Sequence, residues 1–567
     1  MRQLLLAWFA LSTTTAGAQP EALSASHETA SSYAADTLAG LNLEEKVGQM
    51  ICEQMRGEYT PSDSEAYAYL AGLIRDQGVG CFVVYGGTPH DTARLLNGLQ
   101  RLSKLPLLIS ADFEGGPGQQ FAGASEFPAN MALAAIGSED LAYRLGKAGA
   151  AEGRAIGVHV TYSPVVDIQT RPDNPVLSVR SFGRDIDLLG RMAGAYIRGY
   201  QENGMLATAK HYPGRGDVDL FGDTEFLINR KDVTRFEEED LLAFRKAIEA
   251  GVTYVMSEHI AVPSATDGSE LPASVEAKLA TGWLRDRLGF RGVLTTDDLW
   301  YPKVVERFGA ERAGVLAIQA GHDALLKPAN AIKMIDAIVE AVRADEISEA
   351  RIDDSVLRLL YWKARLNLHE NRSVDLDRID ATVSSQSHRE LVSEIADRSL
   401  TVLRGRDMLE SPLGRIVHIS LQKNELDSVP AEVARKLEAA LPVDETYLMR
   451  QDTDPARQDY AVRAAELADT VVVSIFNQRN VYRDNGPLRP REQSFLADLM
   501  RAQPRMIVMS YGNPYVIGSV PEDAAFVVGY GEGGFYGNQA VYADAFIRLA
   551  QGEIDGTGVL PVHLPNQ

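Results

Sequence analysis

Short, continuous apolar runs alternate with amphipathic stretches from about Leu41 onward, and this alternation limits the folds open to the chain. The runs are VGQMICEQM (from Val47), VGCFVVYGG (from Val79), LPLLISADFE (from Leu105) and VHVTYSPVVD (from Val158). MLATAKHYPG (from Met205), VTYVMSEHI (from Val252), GVLTTDDLW (from Gly292) and HDALLKP (from His322) follow. Between them lie helical patterns such as SEAYAYLAGLIRDQG, DTARLLNGLQRLSK, LLGRMAGAYIRGYQENG and EEDLLAFRKAIEAG. A strand that is apolar throughout is covered on both faces, which means parallel strands joined by helices. About eight such units predict an α/β fold of the (β/α)8 barrel type.

Polar residues collect at the C-terminal ends of these runs. They are Asp112 and Glu114, Asp167, Lys210 and His211, Glu258 and His259, Asp297 and Asp298, and Lys327. In a barrel those ends share the face on which sites are built. An open doubly wound sheet also places ligands there, so the pattern supports α/β in general and the barrel by the number of units.

A chain of 567 residues is too long for one compact core. The stretch ARIDDSVLRLLYWKARLNL reads as a closing helix, and the polar segment after it reads as a linker. A second alternation follows in RIVHISL, TVVVSIF, MIVMSYG and AAFVVGYG. The expected division is a signal peptide over 1–18, a barrel over 19–368, a linker over 369–389 and a smaller α/β sandwich domain over 390–567.

Arg2, the apolar run LLLAWFALSTTTAGA and the small residues Ala16-Gly17-Ala18 match a bacterial-type export signal. The run is too short to span a bilayer, so the expectation is an exported protein, periplasmic or secreted, with no membrane insertion after cleavage. The net charge of −22 repels polyphosphate, which argues against nucleic acid as a partner. The two cysteines, Cys52 and Cys81, lie in apolar runs. Buried thiols are the plain reading, and export permits a single bridge. The histidines show no metal-binding spacing, and no cofactor is implied.

Several ordered stretches carry a resemblance. They are ADFEGG, EFPANMALAA, the run from SPVVD to RSFGRD, AKHYPGRGD, LPASVEAKLATGWLRDRLGFRGVLTTDDL and the tail GEIDGTGVLPVHLP. Together they resemble glycoside hydrolase family 3, and within it the bacterial β-N-acetylhexosaminidases. The resemblance implies a (β/α)8-like barrel with an α/β sandwich. It also implies retaining cleavage of terminal β-linked sugars through a covalent glycosyl-enzyme. A small oligosaccharide or glycoside is then the partner. A β-glucosidase or β-xylosidase of the same family, or a catalytically silent glycan-binding protein, is the alternative.

Retaining hydrolysis needs a carboxylate nucleophile and a group that gives and then takes a proton. Asp297 in LTTDDL matches the family nucleophile, with Lys210 or Arg180 expected to lower its pKa. Asp298 is expected to cap the next helix. Asp112, Arg180, Lys210 and His211 match positions that bind sugar hydroxyls, mixing carboxylate acceptors with cationic donors. Glu114 and Asp167 fit a supporting role. Pro117 stands where the family often has an arginine.

The loop KHYPGRGDVDLFGDTEF departs from the hexosaminidase pattern, in which an aspartate-serine/threonine-histidine triplet supplies the acid/base. Here the triplet is Asp223-Thr224-Glu225, and Arg215 replaces the usual histidine or leucine. Glu225 can serve as the acid/base if its pKa is raised, and Asp223 nearby pushes it that way. Glu258, where the family has a small residue, and Glu532 in GYGEGGFYGN are the other candidates. Loss of the acid altogether is the third reading.

Overall fold

Runs buried on both faces become the strands of the first sheet. The strands are β1 (Ile51–Arg56), β2 (Cys81–Tyr85), β3 (Leu108–Ala111) and β4 (Val160–Thr161), followed by β5 (Leu206–Tyr212), β6 (Tyr254–Ser257), β7 (Val293–Thr296) and β8 (Leu325–Leu326). The computed structural model describes residues 25–172, 174, 176–218, 226–422, 428–450, 452–476, 488–531 and 539–564. The sheet is all parallel, in the order β8-β1-β2-β3-β4-β5-β6-β7. Backbone hydrogen bonds from Asp323 N to Leu294 O and from Thr296 N to Ala324 O, 2.8 and 3.1 Å, carry the sheet round from β7 to β8. The result is the expected (β/α)8 barrel.

The helices between strands follow their sequence signals. Thr88 caps Pro89–Leu102 by accepting from Asp91 N at 3.2 Å, and Pro89 opens the first turn. Thr92, Leu95, Leu96 and Leu99 form its buried stripe at helical spacing. Asn330 caps Ala331–Arg343, where Met334, Ile335, Ile338, Val339 and Val342 face inward. The first run begins differently from expectation. Val47–Gln49 belong to the helix Leu43–Gln49, capped by Asn42 and Glu45, and the strand starts at Ile51.

Asp323, just before β8, anchors a charged core. Arg285, Arg358 and Arg351 reach its carboxylate at 2.6, 3.1 and 3.5 Å, Ser355 Oγ donates at 2.7 Å and Leu294 N at 2.9 Å. Burial pushes the Asp323 carboxyl up, but the arginines outweigh it and hold it below the usual carboxylate range.

Cys52 and Cys81 are register partners on β1 and β2, and the structure joins them in a disulfide. The reading of both as buried thiols is therefore corrected. Strand pairing alone brings these positions face to face, across 29 residues of sequence.

The chain divides into two compact units. The first comprises 1–125, 142–168 and 193–385, and the second comprises 126–141, 169–192 and 386–567. The second unit holds a six-stranded mixed sheet of β9 (Thr401–Arg404), β10 (Ile416–Gln422), β11 (Val443–Met449), β12 (Thr470–Phe476), β13 (Met506–Ser510) and β14 (Ala525–Val528). Its order is β9-β14-β13-β12-β10-β11, antiparallel only between β9 and β14. Within the first unit, the segment expected to be a linker packs on the barrel. Asn97 Nδ2 donates to Val374 O and Val374 N donates to Asn97 Oδ1, both at 2.8 Å.

Candidate active site

The C-terminal strand ends of the barrel gather acids and bases, because the backbone ladder continues a residue past each strand. Glu258 N donates to Tyr212 O and Asp297 N donates to Ser257 O, both at 2.7 Å. The carboxyl groups that follow β6 and β7 are thereby set side by side. Glu258 and Asp297 lie within hydrogen-bonding reach of each other. One oxygen from each, with a ring nitrogen of His211, falls within 4.8 Å of the others. That spacing would suit a cation, and the sequence offered no sign of it because the three residues come from three different strands. A cationic partner for Glu258 is already present: Arg215 Nη2 lies 2.7 Å from Glu258 Oε2.

Lys210, within β5, stands between two carboxylates. Its Nζ is 2.8 Å from Asp112 Oδ1 and 2.7 Å from Glu114 Oε1. Tyr85, at the end of β2, donates from its hydroxyl to the other oxygen of Asp112 at 3.4 Å. Asp167 accepts three N–H groups: His211 Nδ1 at 2.7 Å, His211 N at 3.1 Å and Arg215 N at 2.7 Å. It thereby fixes the histidine ring and the start of the glycine-rich loop, and the proton of a neutral His211 resides on Nδ1. Glu114 and Asp167 thus support their neighbours, as expected.

Asp297 departs from expectation in its ionisation. Its carboxyl is pushed up to about 6, first by burial and then by Glu258, while His259 and Arg215 pull the other way. The expected lowering by Lys210 fails because that cation is committed to Asp112 and Glu114. Arg180, the other cation expected to lower it, belongs to the second unit. There it is buried, donates from Nη1 to Val176 O at 3.3 Å and accepts at its carbonyl from Asn130 Nδ2 at 2.8 Å.

Asp298 is not a helix cap. The next helix, Pro302–Phe308, has Tyr301 at its N-cap position, and the Asp298 carboxylate pairs with Lys327 Nζ at 2.7 Å. Burial and the neighbouring Asp297 push the Asp298 carboxyl to about 6 against that pairing. Lys327 also sits 4.8 Å from the Tyr85 ring and 5.5 Å from Trp300, whose side chain is exposed at the rim. Burial lowers the pKa of the His259 imidazole from its usual value, against the pull of Asp297 and Asp298. Its Nε2–H donates to Asp298 O at 3.1 Å, which fixes the turn after Asp297. Asp223, Glu225 and Glu532 lie outside the described residues.

Residues 42–361 match the model of the glycosyl hydrolase family 3 N-terminal domain, more than half of the chain. The chain belongs to glycosyl hydrolase family 3. A β-N-acetylglucosaminidase/β-glucosidase of Cellulomonas fimi is 32% identical over 376 residues, 65% of each chain. β-Hexosaminidase A of Pseudoalteromonas piscicida is 27% identical over 390 residues, covering 62% of this chain and 64% of that one. The chain thus spans just under two thirds of the length of these curated relatives. Among solved structures, a family 3 β-N-acetylglucosaminidase from Paenibacillus sp. is 28% identical with a TM-score of 0.79. That match covers 92% of this chain and 99% of the other.

Proposed function

We propose that the protein is a retaining exo-glycosidase that releases terminal β-linked N-acetylglucosamine from chitin or peptidoglycan fragments. The observation that carries this reading is a half-buried carboxylate, Asp297, beside a Lys210–Asp112–Glu114 cluster and the His211–Asp167 pair on one barrel face. Asp112, Lys210 and His211 hold the hydroxyls of the terminal sugar. Asp297 attacks the anomeric carbon as the glycosidic C–O bond breaks, and a protonated acid passes its proton to the leaving oxygen. Water then attacks the glycosyl-Asp297 ester, gives its proton to the same group and restores the carboxylate.

That second group has to stand across the anomeric carbon, with the two carboxyls about 5 Å apart. Glu258 is within hydrogen-bonding reach of Asp297 and paired with Arg215, so it stands on the nucleophile's own side. We take Glu225 as the acid/base, since it stands in the triplet position that supplies the acid in the hexosaminidases the loop resembles. The name of the Paenibacillus relative, a β-N-acetylglucosaminidase, supports an acetamido sugar, and the β-hexosaminidase A of Pseudoalteromonas piscicida is in keeping with it. The double name of the Cellulomonas relative keeps β-glucosides as the second substrate to compare.

The test is the rate of wild type and Glu225→Gln on two substrates. An aryl β-N-acetylglucosaminide has a good leaving group, whereas chitobiose needs protonation. The variant should lose chitobiose cleavage by about 10²-fold or more and keep an early burst of aryl leaving group. Equal rates of wild type and variant on both substrates would remove Glu225 from the role. Export is proposed on the signal-like segment before Gln19, which lies outside the described residues, and the Cys52–Cys81 disulfide suits an oxidising compartment.

A further inference from the structure

A second cavity lies at the opposite end of the barrel. It encloses about 410 Å3, within the range of about 300–1,000 Å3 usual for small-molecule sites. Its lining includes Arg154, His159, Arg372, Asp375, Arg378 and Thr382. His159 immediately precedes β4, so the cavity sits at the N-terminal ends of the strands, away from Asp297. Its wall is closed by the segment after the last barrel helix, which Asn97 ties down through Val374.

The cavity is built for negative charge. Arg154 Nη1 is fully buried and has no hydrogen-bond partner among the described residues. A guanidinium cannot shed its proton at neutral pH, and burying it without a counter-ion is costly. His159 Nδ1 accepts from Ile109 N at 3.0 Å, which puts the proton of the neutral ring on Nε2 as a donor. Arg372 Nη1 is anchored on Ser103 O at 3.0 Å. Asp375 is the one acidic side chain of the lining, and its Oδ1 accepts from Asp377 N at 3.1 Å, closing the local turn. Three guanidinium groups against one carboxylate leave a surplus of two positive charges, in a chain whose net charge is −22.

We propose that this cavity binds a small dianion of the phosphate-monoester class, with Arg154 and Arg378 as its charged contacts. The guanidinium forks match phosphate oxygens, and the remaining volume admits an organic group of sugar size. The site is independent of the glycosidase reading and of the sugar that reading names.

The experiment is titration calorimetry of the full chain with glucose 6-phosphate, inorganic phosphate and glucose, at ionic strength held constant with sodium chloride. Glucose 6-phosphate should saturate and glucose should not. Arg154→Gln should weaken binding about tenfold or more, as expected for buried charge-assisted hydrogen bonds. Arg378→Ala, at an exposed position, should weaken it about two- to fivefold and leave aryl-glycoside hydrolysis unchanged. Saturation by inorganic phosphate alone, weakened by the same variants, would support the oxyanion contacts and drop the organic group. If Arg154→Gln does not fold, Arg378→Ala decides. Absence of saturable binding by either phosphate below about 10 mM would overturn the proposal, as would binding unchanged in the variants.

Discussion

Replacing Glu258 by glutamine removes the carboxylate that stands against Asp297. Asp297 has to be ionised to attack, so kcat/KM follows its ionised fraction. Its carboxyl lies at about 6, so activity should rise with pH through that value and fall below it. Two carboxylates about 4 Å apart repel by about 4 kcal/mol at an effective dielectric of about 20. Arg215, 2.7 Å from Glu258, offsets most of this. A residual of about 1–2 kcal/mol corresponds to about one pH unit. The variant also frees the positive charge of Arg215 to act on Asp297, in the same direction. The acid limb of the kcat/KM profile on an aryl glycoside should therefore move down by about one unit, toward pH 5. A limb that stays in place or moves up would refute the reasoning. So would a collapse of chitobiose cleavage with the aryl burst retained, because that would make Glu258 the proton donor.

Lys210→Met leaves Asp112 and Glu114 without their bridging cation. It should cut kcat/KM by at least about 10²-fold and lower Tm, and near-wild-type kinetics would contradict the assigned sugar contacts. Asp323→Asn strands three arginines and should cost about 3–5 kcal/mol in urea unfolding. Because the folded pKa of Asp323 is depressed, its contribution is present above the ordinary carboxylate value and lost as pH falls through the folded value. The stability of the asparagine variant should therefore fall less steeply in strong acid. In phosphate buffer, an ionised Glu225 should repel phosphate as acceptor, so free sugar should form faster than sugar 1-phosphate by product analysis.

The barrel was legible because its strands are apolar on both faces and its helices carry clear caps and stripes. The error at Val47 has a physical cause: a short apolar run does not separate a buried helical turn from a strand. The strand Val443–Met449 carries no clear sequence signal, because it is an edge strand with Asp444 and Glu445 exposed and no apolar run. In the site, Asp112, Lys210, His211 and Asp297 could be named because each ends or follows a strand. The partner of each could not. Lys327 comes from β8 and turns Asp298 from a presumed cap into an ion-pair partner, and Arg215 meets Glu258 only across the loop after β5. Those pairings decide ionisation, so the direction of the Asp297 shift is not legible in the sequence. The disulfide depended in the same way on β1–β2 register.

The most direct test is covalent trapping with a fluorinated glycoside, followed by peptide mass mapping. The account predicts one glycosyl adduct per chain on the peptide containing Asp297, and none in Asp297→Asn. An adduct on another carboxylate, or an active enzyme that accumulates no adduct, would contradict it.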